Sequence, residues 1–250
     1  MDQGTQEWLE WRHAGIGASD SAAIFGVSQY LTKRELWLEK IGPCPDRQYG
    51  GFASEKGGVA ETHIRAKYNL EHSCNCEPRQ AEHDTFHFIK ASLDGFCTDT
   101  ARAIEVKFVG KDAYATEPKK IEKGQAHWIQ CQHQMLASGL FYIDYCFSAD
   151  RNTFKQKRIF LDSDFQDKLL LELPAFWHLV TTRTDPGYSE DDAKPVEDAM
   201  LKALLDVYPA TKGKDREMSR ARIKELVTWP RMEYQGVTVT LTAQGKLTIR

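Results

Sequence analysis

Apolar and polar positions change rhythm several times along this chain, and each rhythm predicts an element. The opening "TQEWLEWRHAGIGASDSAAIFG" reads as a short helix, a glycine-bearing turn and a second helix opened by Ser19 or Asp20, whose side-chain oxygens suit capping of exposed amides. "TKRELWLEKIG" puts Leu36, Trp37 and Ile41 on one side and stops at Gly42 and Pro43. After a glycine-rich link, "GVAETHIRAKYNL" carries Val59, Ile64 and Tyr68 at helical spacing, with Glu61 and Arg65 four apart on an adjoining face.

The period then shortens to two. "TFHFIKASLDGFC", the polar turn "TDTARA" and "IEVKFV" predict a hairpin. "KGQAHWIQCQHQMLASG" returns to helical spacing and ends at Gly139, and "FYIDYCFSA" and "KQKRIFL" follow as strands. Another amphipathic helix is expected over Asp164 to Thr182. Next, "TRTDPGYSEDDAKP" is rich in Asp, Pro and Gly and marks a boundary, so residues 1–184 are expected as one domain and 185–250 as an extension. The extension predicts one or two helices and an alternating hairpin, "GVTVTLTAQGKLTIR". Helices interleaved with strands in this order predict the α/β or α+β class, a central mixed sheet flanked by helices.

Composition changes this picture little. The 250 residues are 41% apolar and 28% charged, ordinary for a globular chain. No apolar run reaches the length of a membrane span, and "MDQGTQEWLEWR" lacks the basic start and apolar centre of a secretory signal, so a cytoplasmic protein is expected. The six cysteines show no regular framework and are expected as free thiols. Cys74 and Cys76, beside His72, form a C-x-C pair too sparse for a zinc signature. A formal charge of −3 disfavours a protein that coats nucleic acid by bulk attraction, yet leaves room for a local basic groove.

The candidate chemistry lies in "ASLDGFCTDTARAIEVKFVG". A hairpin turned near Asp99 to Arg102 sets Asp94 opposite Glu105, and the period of two adds Lys107 to the face of Glu105. Burying two carboxylates and an ammonium costs several kcal/mol unless they are paired or bind a metal. Two hard oxygen ligands suit Mg²⁺ or Mn²⁺, and a neighbouring lysine suits work on water or phosphate. The spacing by itself favours a plain cross-strand ion pair of Lys107 with either acid. In the same way Arg12 alone fits packing on Trp8 or Trp11, Ser19 alone a helix cap, and Gln130 and Gln134 exposed helix positions. His127 and His133 read as surface or DNA-facing histidines, and Trp128, Met135 and Leu136 as core.

Taken in order, Glu61 in "GVAETHIRAKY", "SLDG", "EVK" and "QCQHQM" resemble the motifs of the PD-(D/E)XK nuclease superfamily. The likeness is greater to the phage lambda exonuclease and YqaJ-type viral recombinase family. "WLEWRHAGIGASDSAAIFG" resembles that family's opening motif, with Arg12 seven residues before Ser19. The resemblance spans about Trp8 to Val180 and implies a restriction-endonuclease-like core. It also implies that Asp94 and Glu105 bind Mg²⁺, or Mn²⁺, with the Val106 carbonyl as a further ligand. Glu61 would support the site through water or a second ion. Lys107 would position or activate the attacking water, with Gln130 near the scissile end and Gln132 assisting. Arg12, Ser19 and Ser92 would hold a terminal 5′ phosphate.

The implied activity is digestion of one strand of duplex DNA from its 5′ end to mononucleotides, leaving 3′ overhangs for phage-type recombination. The expected partners are double-stranded DNA ends, two further copies in a ring-shaped homotrimer and a single-strand annealing protein, in the cytoplasm of a bacterial host. An endonuclease of the same superfamily and a non-catalytic DNA-binding module are the alternatives. Residues 185–250 receive no role from the resemblance.

Overall fold

A computed structural model describes residues 1, 3–45, 52–150 and 153–250, with backbone alone for 52–57 and 112. The expected glycine-rich link falls in part on residues 46–51, outside the described residues. Two compact units form, Met1–Asp185 and Pro186–Arg250.

The first unit holds α1 (Gln6–His13), β1 (Ile16–Gly17), a 3₁₀ turn (Ala18–Asp20), α2 (Ser21–Ile24), α3 (Lys33–Ile41) and α4 (Phe52–His72). It continues with β2 (Glu77–Glu82), β3 (Ile89–Cys97), β4 (Arg102–Phe108), α5 (Lys111–Tyr114) and α6 (Glu117–Lys120). It ends with α7 (Ala126–Ser138), β5 (Tyr142–Ser148), β6 (Lys155–Phe160) and α8 (Ser163–Thr181). The sheet runs β1-β3-β4-β5-β6 with β2 on β3, and is mixed because β1/β3 and β4/β5 are parallel while the other pairs are antiparallel.

Helices close both faces. On one, Ile129 and Met135 of α7 join Leu169 and Leu173 of α8 over Ala103, Ile143 and Tyr145. On the other, Ile64 and Tyr68 of α4 pack on Ile104, Val106 and Cys146. Val59, read with that apolar stripe, is instead exposed. The Tyr68 hydroxyl donates to Asp144 (2.6 Å), which also takes two Arg158 hydrogen bonds at 2.8 Å, so the buried carboxylate ties α4 to β5 and β6.

Local signals explain most of these elements. Thr5 caps α1, Thr32 and Glu35 form a capping box on α3, Asp162 caps α8, and Gly139 ends α7 at φ +69°. The cap expected of Ser19 or Asp20 on α2 does not form, because Asp20 turns back to accept from the Gly17 amide. Strand β2 was not expected: it is a polar edge strand, mostly exposed, and lacks the alternation that betrays a half-buried one.

The predicted hairpin is β3/β4, with an irregularity the alternation does not encode. Glu77 pairs with Phe96 and Arg79 with Leu93, so one residue of β2 faces two of β3, Asp94 and Gly95. Such a bulge reverses the facing of the residues beyond it. Accordingly Ile89, Ala91 and Leu93 face α7, whereas Cys97 faces α4. Gly95 is required there, since a Cβ would stand 2.8 Å from Ile104 Cγ1 and 3.0 Å from Cys76 Cβ.

The second unit comprises β7 (Lys194–Pro195), α9 (Ala199–Val207), a 3₁₀ turn, α10 (Gly213–Leu226), β8 (Arg231–Tyr234), β9 (Val237–Leu241) and β10 (Leu247–Ile249), with the sheet ordered β10-β9-β8-β7. Leu201, Leu205, Ile223, Met232, Val239 and Leu247 build its own core.

His133, expected at the surface, is wholly buried beneath β3. Its Nε2–H donates to the Lys90 carbonyl (3.0 Å), which leaves Nδ1 to accept from the Ser21 hydroxyl (2.6 Å). Burial pulls its pKa from 6.5 to about 4. The unfolded ring therefore takes a proton that the folded ring refuses, and stability should fall as pH drops from 6.5 toward 4. Urea unfolding at pH 7 and pH 4.5 should show a loss of roughly 2 to 3 kcal/mol from this residue, much reduced in His133→Gln.

Candidate active site

Past the Gly95/Ile104 pair the β3/β4 ladder stops, and the strands diverge. The Asp94 carboxylate, in place of a backbone carbonyl, accepts from the Val106 amide (2.7 Å). Alongside, Glu105 is 1% exposed, and its oxygens are held by Lys107 Nζ (2.5 Å), Gln130 Nε2 (2.7 Å) and Gln134 Nε2 (2.5 Å). The α-helical period brings Gln130 and Gln134 to one face of α7. Gln134, which read alone fits an exposed helix position, is buried against the acid.

Glu61 enters from α4, bound by Arg65 (2.8 Å), and the same Arg65 nitrogen donates to the Asp94 carbonyl (2.7 Å). Burial, then the charges of Glu105 and Glu61, push Asp94 well above the usual carboxylate range. Burial also raises Glu61, against the pull of Arg65. For Lys107 burial works downward, but Glu105 and Asp94 outweigh it and hold the ammonium charged. Asp94 and Glu105 share the Lys107 ammonium while Glu61 is paired with Arg65, so three mutually repelling acids meet two cations and the site remains short of positive charge.

The donors there are all oxygens, which suits a hard divalent cation. Among the described residues no three carboxylate, imidazole or thiol groups converge in a metal cage. Asp94 and Glu105 remain as a carboxylate pair, the number Mg²⁺ commonly takes from protein when phosphate and water complete its shell. Val106 lies between them, its amide spent on Asp94 and its side chain turned to α4. The Cys74 and Cys76 sulfurs are 3.8 Å apart, and both are free thiols.

A cationic cluster adjoins the acids. Arg12 Nη2 donates to Ser19 Oγ (2.9 Å) and Asp20 Oδ1 (3.1 Å), and Lys40 Nζ, 6% exposed as a residue, meets Asp20 Oδ2 at 2.9 Å. Burial alone would raise Asp20, but Lys40 and Arg12, with the Gly17 amide, hold it down at about 2. Trp8 Nε1 donates to Ser92 Oγ (2.9 Å), and Lys90 Nζ donates to the Trp11 carbonyl (3.0 Å). One pocket of about 180 Å³ is lined by Arg12, Ser19, Lys90 and Ser92 together with Asp94, Glu105, Lys107 and Gln130.

Gln132 does not reach this pocket. It is wholly buried on the other side of α7, donating to the Phe160 carbonyl (2.8 Å) and accepting from the Asp162 amide (3.0 Å), so it joins α7 to the β6–α8 connection. His127, also read as a surface group, sits half-buried and donates from Nδ1 to Glu117 (2.6 Å) beside the Tyr145 hydroxyl. Lys90 and Lys40 carry no role in the sequence motifs, and Gln134 belongs to the "QCQHQM" motif without a role of its own. Lys90 had a signal, since it precedes Ser92 and Asp94 at the strand period. Lys40 had none, because only folding brings α3 to Asp20.

A family model of the YqaJ-like viral recombinase domain matches residues 7–140. The uncharacterized protein YqaJ of Bacillus subtilis (strain 168) is 27% identical over 177 residues, covering 69% of this chain and 55% of that protein. The chain thus spans about half the length of the curated relative it matches. The crystal structure of an alkaline exonuclease from Laribacter hongkongensis superposes with a TM-score of 0.60 at 24% identity, covering 72% of this chain and 94% of the other. The same enzyme in complex with dAMP gives 0.61 at 23% identity, with the same coverage. These solved structures establish a shared fold.

Lys40→Met should strand Asp20 with Arg12 as its one cation. Breaking a buried pair from one side should lower unfolding free energy by roughly 3 kcal/mol, measured by urea titration at pH 7.

Proposed function

The chain belongs to the family of YqaJ-like viral recombinase domains, and from that premise we propose that it is a Mg²⁺-dependent deoxyribonuclease. It digests one strand of duplex DNA from a 5′ end to mononucleotides and leaves 3′ overhangs for recombination. The observation that carries this reading is the single pocket in which Arg12, Ser19 and Ser92 stand beside Asp94, Glu105 and Lys107. A pocket with an anion-binding half and a hydrolytic half suits an end better than the middle of a strand.

The division of labour follows from the donors. Arg12 offers a guanidinium fork, and Ser19 and Ser92 offer hydroxyls, which together suit a terminal phosphate. The side-chain hydrogen bonds of Arg12 to Ser19 and Asp20 use Nη2 and its guanidinium lies 5.6 Å from the Trp8 ring centroid, so the fork is oriented before DNA arrives. Asp94 and Glu105, with the Val106 carbonyl, would hold Mg²⁺, and Glu61 would support it through water or a second ion. A bound ion supplies Lewis-acid charge on phosphate and an acidified water. Lys107, kept charged by its acids, donates to the attacking water and to the phosphate oxygens. Gln130 and Gln134 fix the Glu105 carboxylate, and Gln130, which lines the pocket, also reaches the scissile end. In this reading Gln132 holds α7 in place without touching DNA.

The wider proposal comprises a ring-shaped homotrimer, a single-strand annealing partner and action in the cytoplasm of a bacterial host. No helix among the described residues is long and apolar enough to cross a membrane.

Time-resolved digestion with Mg²⁺ should compare an end-labelled duplex with a 5′ phosphate, the same duplex with a 5′ hydroxyl, and a covalently closed circle. The phosphorylated end should be degraded fastest and the circle left intact; a circle cut as fast as linear DNA would overturn the exonuclease reading. Lys107→Ala should abolish cleavage while DNA binding persists. Arg12→Ala should slow digestion of phosphorylated ends roughly 10- to 100-fold, the worth of a charge-assisted hydrogen bond, and leave the hydroxyl end nearly unchanged.

A further inference from the structure

The unit formed by Pro186–Arg250 contributes no residue to the pocket just described. Its sheet has one face in its own core, through Met232, Val239 and Leu247. The period of two turns their neighbours outward. Arg231, Thr240 and Thr248 form one cross-strand row, and Glu233, Thr238 and Arg250 form the next. Arg231, Arg250 and the three threonines line a concavity of about 370 Å³.

The arginines of this unit fall into two groups. Arg216 stacks on Tyr208, Arg220 donates to the Leu247 carbonyl, and Arg222 pairs with Glu225, so each of these is occupied by its own fold. Neither the Arg231 nor the Arg250 side chain makes an ion pair or hydrogen bond among the described residues, although Glu233 shares their face. Their backbones stand two strand spacings and one row apart, about 12 Å on the diagonal, across three hydroxyl groups. The stretch 212–250 carries nine lysines and arginines against four acids.

The geometry points to a second DNA contact: this face takes the phosphodiester backbone of duplex DNA, Arg231 and Arg250 pairing with phosphates while Thr238, Thr240 and Thr248 donate to their oxygens. The inference rests on the reading that the chain works on DNA. Unpaired guanidinium groups and hydroxyls are the groups that contact phosphate without reading sequence. Single-strand platforms add aromatic rings on which bases stack, and this face has none, which selects the duplex. The contact adds affinity through residues that do not line the pocket of the first unit, so it is separable from cleavage.

The test uses the full chain, a fluorescent duplex of arbitrary sequence and metal-free buffer, with anisotropy titrations between 50 and 200 mM NaCl. Arg231→Ala with Arg250→Ala should make the slope of log K against log salt shallower by about 2, near 0.9 per lost phosphate contact, and weaken binding at least roughly tenfold. Arg231→Lys with Arg250→Lys should restore the slope, because phosphate contact requires charge. Thr240→Glu, which keeps both arginines and sets a carboxylate among them, should weaken binding to the same extent, and it serves if the double alanine variant does not fold.

Unchanged slope and affinity in the alanine or glutamate variant, no restoration by lysine, or a greater loss on single-stranded than on duplex DNA would each overturn the proposal. Cleavage is scored separately on a short 5′-phosphorylated duplex with Mg²⁺. A wild-type chain that never cleaves but shows the slope change refutes the nuclease reading alone, and one that cleaves with coincident slopes refutes this inference alone.

Discussion

A carboxylate that is 1% exposed must find its hydrogen bonds inside the protein, and Glu105 takes three, from Lys107, Gln130 and Gln134. That requirement fixes the placement of α7, whose two glutamines must arrive together on the sheet. Gln132, facing the opposite way, locks the same helix to the start of α8. Apolar packing from Ile129 and Met135 supplies area but little direction. The polar groups above and below set the register.

Much of this was legible in the sequence, for physical reasons that can be named. Alternation in "IEVKFV" exposed β4 and put Lys107 beside Glu105, and helical spacing with Gly139 exposed α7. The period that defines α7 also separates Gln130 and Gln134 from Gln132, so the motif "QCQ" does not put its two glutamines on one face of the helix. The bulge at Asp94 and Gly95 was not legible, because a bulge is a pairing fault between two strands and β2 gave no signal. Asp20 could not be resolved from a helix cap, since its partner Lys40 is brought to it only by the packing of α2 and α3. Buried histidines such as His133 leave no trace in a hydropathy pattern.

The site joins two fields of opposite sign. Arg12 and Lys40 meet at Asp20 on one side, and Glu61, Asp94 and Glu105 crowd Lys107 on the other. Each cluster carries charge of the other sign, Asp20 in the first and Lys107 with Arg65 in the second, which limits the cost of assembling like charges in a low-dielectric surround. Asp20 keeps two cations together, and Lys107 keeps Asp94 and Glu105 together while Arg65 holds Glu61. Neither central residue follows from the chemistry of its own half, yet each half depends on one.

The bond from Arg12 to Asp20 and Ser19 has a consequence for release. A guanidinium that pairs only with its guest is left bare when the guest departs, and the bare state raises the barrier to leaving. Here Nη2 has internal partners in the absence of any guest. Under the proposed role, an anion leaving this pocket would expose no orphaned charge, because Arg12 already has its own carboxylate.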